Sequence, residues 1–178
     1  MPRHIAFLRA INVGGHVVTM ERLRRLFEAL GFRGVATFIA SGNVVFDAPR
    51  GGRPLEARIE RHLESALGYE VATFLRSPGE LAALIEHDAF PPGHATAPGA
   101  SLFVAFLRDA PSRESAGRLL ALRNHADDLQ VRGRDLFWLR RDREASRVSG
   151  AALEKALAGP ATVRNITTVR KLAQKYPA

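Results

Sequence analysis

Apolar positions in the first half of the chain alternate between strand-like runs and helical spacing. Residues 4–11 (HIAFLRAI) read as a strand. Thr19 is placed to cap a helix over 20–30, with Leu23, Phe27 and Leu30 on one face, a Glu21–Arg25 pair at i,i+4 and Gly31 as its stop. A second strand is predicted over 35–40, a two-residue turn at Ser41-Gly42 and a third strand over 43–47. After a loop over 49–54, Leu55, Ile59, Leu63 and Leu67 mark a helix that Gly68 ends, and 71–75 is a fourth strand. The order β-α-β-β-α-β is the ferredoxin-like split βαβ motif.

A further helix opens at Ser77-Pro78 and runs to about Glu86. The stretch 89–99 (AFPPGHATAPG) is the most linker-like in the chain. Beyond it the pattern starts again. The spacing predicts a strand over 102–107, a Ser112-capped helix to about Arg123, and strands over 129–132 and 136–139 around Gly133. A helix over 151–158 ended by Gly159-Pro160, a strand over 161–163 and a closing helix over 167–175 complete it. AFLRD at 105–109 echoes AFLRA at 6–10. The expectation is an α+β protein of duplicated ferredoxin-like halves, 1–95 and 96–178, with mixed sheets covered by helices and by each other. Cover by the other half of the chain or by a second subunit is expected because the strands at 5–8 and 102–107 are apolar on both faces, whereas a half-solvated strand alternates with polar residues.

Composition narrows the chemistry. With no cysteine there is no disulfide, thiolate metal site or Cys nucleophile. No apolar run approaches the roughly 20 residues of a membrane span, and the N-terminus reads as a strand start. A cytoplasmic protein without cofactor or metal is expected. The net charge of +8 is uneven: 1–95 carry 11 basic and 10 acidic residues, 96–178 carry 15 and 8. The 23 arginines against 3 lysines fit a GC-rich genome, and they also suit phosphate recognition.

The P-loop, HExxH, GxSxG, GxGxxG and EF-hand patterns are all absent. Asp127 and Asp128 are adjacent carboxylates that a strand would point to opposite faces, so paired acid–base work is not expected of them. Two loops carry more interest. In a split βαβ sheet the first and second strands run parallel, so their C-terminal ends share an edge. One end continues into Asn12-Val13-Gly14-Gly15-His16 and the other into Ser41-Gly42-Asn43, with Arg9 a short distance away. Glycines between strand and helix free backbone N–H groups for an anion. The same residues also satisfy ordinary turn and cap geometry, and both readings stay open.

FLRAINVGGH (7–16), SGNVVF (41–46) and TVRNITTVRKL (162–172) are similar to the signatures of the bacterial family called domain of unknown function 1697. This chain departs from the pattern at Ala10, where the family usually has Gly, and at Ile166-Thr167, where an aromatic and a polar residue are usual. The resemblance implies two intertwined α+β halves and supplies no activity. By matched position it points to Arg9, Asn12, Gly14, Gly15, Ser41, Gly42, Asn43, Arg164 and Asn165 as ligand-binding residues.

The functional expectation is therefore binding of a phosphorylated or otherwise anionic small ligand at the strand-end loops. A first alternative is a nucleic-acid-binding module using Arg132, Arg134, Arg140, Arg141, Arg143 and Arg147; an RNP1-type aromatic run is missing and acidic residues dilute the cluster. A second is an enzyme of unrecognised class with His16 as base.

Overall fold

The computed structural model describes residues 1–12, 14–39 and 42–178. Among the described residues there are two four-stranded antiparallel sheets and six helices, an α+β architecture. The chain divides into two compact units, Met1–Ala82 with Lys175–Ala178, and Ala83–Gln174.

The first unit contains β1 (Arg3–Leu8), α1 (Met20–Glu28), β2 (Arg33–Thr37), β3 (Asn43–Asp47), α2 (Arg53–Leu67) and β4 (Thr73–Arg76), and α3 (Pro78–Glu86) follows. The strands lie in the order β2-β3-β1-β4. β3 pairs antiparallel with both β1 and β2, so the two strands that run parallel are never neighbours. This corrects the expectation of mixed sheets: β3 lies between the parallel β1 and β2, and β4 also pairs antiparallel with β1.

Register assigns the faces. Ala6, Leu8, Val44, Phe46 and Leu75 pack against Leu23 and Phe27 of α1 and Leu55, Ile59 and Leu63 of α2. The opposite face carries Ile5, Phe7, Val45 and Phe74, all fully buried, together with Asn43 and Arg76, also buried. Burying both faces is what the non-alternating strand predicts. The edge strand β4 is blunted by α2, because the Thr73 amide donates to Glu60 Oε1 at 3.2 Å and the Leu75 amide to Glu56 Oε1 at 3.0 Å.

The rest of the chain forms β5 (Ser101–Leu107), α4 (Arg113–Leu120), β6 (Asp127–Arg132), β7 (Asp135–Arg140), α5 (Gly150–Leu157), β8 (Ala161–Asn165) and α6 (Ile166–Lys175), in sheet order β6-β7-β5-β8. Ala105, Leu107, Leu136 and Trp138 face Leu119 of α4 and Leu153 and Ala156 of α5. Val104, Phe106, Phe137 and Leu139, with Thr162 and Arg164, are buried on the other face.

Several boundaries moved for local reasons. β1 stops at Leu8 because Ala10 adopts a left-handed φ of 56°, and β2 stops at Thr37, short of Ile39 at φ 59°. α2 begins at Arg53 because Pro54 suits a first helical turn. Asp127 and Asp128 do face opposite ways. Asp127 is fully buried and accepts four hydrogen bonds, whereas Asp128 pairs with Arg141 at 3.4 Å.

Candidate functional site

The sheet edge where β1 and β2 end and β3 begins gathers both loops. The Leu8 amide donates to the Gly42 carbonyl at 2.9 Å, and the Arg9 amide to Ala72 at 2.9 Å. Gly42 has φ 82° and is pressed so closely that a Cβ there would lie 2.7 Å from Ile11 Cγ2 and 3.1 Å from Leu8 Cβ. The two loops therefore meet at Gly42 and Ile11, and only glycine fits at their junction.

The first loop, residues 9–19, is held by further contacts among its described residues. Asn12 Oδ1 accepts from the Val18 amide at 2.8 Å. The Tyr69 hydroxyl donates to the Ile11 carbonyl at 3.3 Å. The His16 ring stacks on Tyr69 with centroids 3.8 Å apart. Between these ties Gly14 (φ 62°) and Gly15 (φ 84°) are exposed and left-handed, and nothing lies within 4 Å of where a Cβ would sit. Thr19 then caps α1 by accepting from the Arg22 amide at 3.1 Å.

In the second loop the Phe38 amide donates to the Asn43 carbonyl at 2.9 Å, while Asn43 Nδ2 donates to the Phe38 carbonyl at 2.8 Å. The connection is thus longer than a two-residue turn. Ser41 lies outside the described residues. Ile39 is half exposed at φ 59°, and Val17 of the neighbouring loop is 80% exposed. Left-handed φ in a β-branched residue is a strained conformation. Two of the three left-handed non-glycine residues, Ala10 and Ile39, fall on this one edge among the described residues.

These contacts divide the expected site residues. Asn12 and Asn43 spend side-chain atoms on backbone partners that close the loops. Gly42 serves the loop junction, whereas Gly14 and Gly15 are exposed on the first loop and half-buried Arg9 stands at its root. Arg164 and Asn165 belong to the second unit. Arg164 is buried, its Nη1 donates to Thr162 Oγ1 at 2.8 Å and the Val163 carbonyl at 3.0 Å, and burial pushes its guanidinium pKa down to about 10. Asn165 is exposed and accepts from the Thr167 amide at 2.9 Å, opening α6. Among the described residues no three His, Asp or Glu side chains are grouped to hold a metal ion, and no helix is long and apolar enough to cross a membrane.

The comparisons agree with this geometry at the level of family and fold. The family model described as "Protein of unknown function (DUF1697)" matches residues 1–137. The chain belongs to the DUF1697 family. The match includes both strand-end loops, and the family description assigns no activity. No curated protein matches the chain. The solved structure of conserved bacterial protein SP0830 from Streptococcus pneumoniae is similar over 97% of each chain, at 23% identity and a TM-score of 0.77. That identity speaks to the fold alone.

Family membership also gives Ala10 a physical meaning. The resemblance puts glycine at this position, and this DUF1697 chain has alanine there at a left-handed φ of 56°, a conformation that glycine adopts without strain. Sequence reasoning missed the left-handed Ile39 and the stacking partner Tyr69. The substitution at residue 10 was the available signal for backbone strain. Nothing in the local pattern of Gly68-Tyr69 marks a long-range ring contact.

Proposed function

We propose that the strand-end edge of the first unit binds a small anionic ligand of the phosphate-bearing class. The observation that carries this reading is the concentration of left-handed backbone at Ala10, Gly14, Gly15, Ile39 and Gly42 on one edge. Non-glycine strain of this kind persists where the surrounding structure holds it in place, and it clusters at binding sites. Consecutive glycine amides in a turn form an anion-binding concavity. Arg9 contributes positive charge at the root of the loop, and His16, stacked on Tyr69, contributes a ring nitrogen within the same loop.

The magnitude is modest. Two charge-assisted hydrogen bonds are worth roughly 1.5–3 kcal/mol each, which corresponds to a Kd on the order of 1 mM. The test is an amide chemical-shift titration of the full chain with inorganic phosphate. Saturable shifts at Gly14 and Gly15 that Arg9→Gln weakens support the proposal; unmoved Gly14 and Gly15 amides refute it. The small-ligand reading is favoured over nucleic acid by the arginines of the second unit. Arg140 lies over the Phe103 ring at 4.9 Å, Arg141 pairs with Asp128, and Arg132 Nη1 donates to the Ala83 carbonyl at 3.3 Å.

The same reading includes a duplicated ferredoxin-like plan. Ile5 faces Arg76 as Val104 faces Arg164, in the register that pairs Leu8 with Thr73 and Leu107 with Ala161. The equivalent amides of Thr73 and Ala161 each donate to a helix glutamate, Glu60 and Glu154. Arg76 and Arg164 each fold Nη1 back onto the preceding carbonyl, at 2.8 and 3.0 Å.

A further inference from the structure

The register that equates β1 with β5 places Arg108 where the first unit has Arg9. The two units treat this corner differently. Residues 9–19 connect β1 to α1, but only residues 108–112 connect β5 to α4. Residues 68–72 connect α2 to β4, but only residues 158–160 connect α5 to β8. In the first unit the longer connections supply the His16–Tyr69 stack and the Tyr69–Ile11 hydrogen bond. In the second unit both connections are cut short, and a cavity of about 340 Å³ lies between them. That volume falls within the range of small-molecule sites, roughly 300–1,000 Å³.

We infer that this cavity is a second small-molecule site, for an organic anion that also carries hydroxyl groups, as a sugar phosphate does. The lining supplies each part of that recognition. Arg108 offers a guanidinium, which binds phosphate through a planar fork of donors. Asp109 offers carboxylate acceptors for hydroxyl groups. Ser112 accepts from the Ser115 amide at 3.1 Å, which leaves its O–H to donate. Leu157 and Pro160 provide apolar wall for a carbon skeleton. The site lies wholly within the second unit and stands independently of the first-unit proposal.

The experiment is an amide chemical-shift titration of the full chain with glucose 6-phosphate, alongside inorganic phosphate and glucose. The expected result is saturable shifts at Ala110, Ser112 and Gly159, with glucose 6-phosphate at least tenfold tighter than either fragment. Arg108→Gln should weaken it at least tenfold. Gly159→Leu should abolish the shifts, because Gly159 lines the cavity and its backbone, which is not left-handed and has nothing within 4 Å of a Cβ, accepts a bulky side chain there. Thermal melts of both variants check the fold; if Arg108→Gln does not fold, Gly159→Leu decides. Unmoved residues 110–115 and 158–159, shifts that survive in Gly159→Leu, or equal affinity for inorganic phosphate would overturn the inference. Shifts confined to Gly14 and Gly15 would overturn it while supporting the first-unit site.

Discussion

Replacing Asp127 by Ala should be among the most destabilising single changes in the second unit. The carboxylate is fully buried at the start of β6. It accepts from Trp138 Nε1 at 2.9 Å, Ser146 Oγ at 2.6 Å, the Arg147 amide at 2.9 Å and Asn124 Nδ2 at 3.0 Å. It thereby ties β7, the loop before α5 and the turn before β6 to one point. Truncation leaves those donors without their shared acceptor. Removing one side of such a buried charged network costs about 3–5 kcal/mol. Urea unfolding followed by the fluorescence of Trp138, the single tryptophan, reads this directly, since the indole itself donates to Asp127.

The pH dependence has a definite sign. Burial, the largest influence, raises the Asp127 pKa, but the hydrogen bonds from Ser146, Trp138, Arg147 and Asn124 together outweigh it and hold the pKa below the ordinary 3.8. A lowered folded-state pKa contributes stability that is complete above the unfolded value and is lost as pH falls through the folded one. The gap in stability between wild type and Asp127→Asn should therefore be constant from pH 7 to about 5 and shrink below about 4. A cost under about 1 kcal/mol for Asp127→Ala, or a wild type–Asn gap that does not change between pH 6 and 3, would show that Asp127 is not the shared acceptor of this network.

Four further changes test the strand-end edge. Ala10→Gly should stabilise by about 0.5–1 kcal/mol in denaturant melts, because relief of left-handed strain exceeds the entropy that glycine adds to the unfolded chain. Gly42→Ala should destabilise by more than about 2 kcal/mol, since its Cβ would lie 2.7 Å from Ile11 Cγ2 in a left-handed backbone. Asn43→Ala should cost about 1–3 kcal/mol, because Asn43 is fully buried and its amide serves the Phe38 carbonyl; exposed Asn12→Ala should cost about 0.5–2 kcal/mol. Equal and negligible effects at both asparagines would show that neither closes its loop.

Much of the element order was legible because periodicity is a local property. Leu55, Ile59 and Leu63 announce α2, and the two-faced apolar run at 5–8 announces a strand buried on both sides. The antiparallel character of every ladder was less accessible, since it depends on which strand inserts between β1 and β2. At the candidate edge the glycine pair and Arg9 could be read as chemistry. Whether Asn12 and Asn43 turn toward a ligand or toward backbone could not, because their partners Val18 and Phe38 are chosen by loop closure. The cavity beside Arg108 is less legible still. It arises from two connections that are short relative to their counterparts, and that difference acquires meaning only once the strand registers are aligned.

An anion site at Arg9, Gly14 and Gly15 should show in isothermal titration of the full chain with inorganic phosphate, run in parallel on Arg9→Gln. One saturable process with a Kd on the order of 1 mM is expected, weakened in the variant while its melting temperature is preserved. Heats that never saturate, or a binding curve that is the same in wild type and Arg9→Gln, would contradict it.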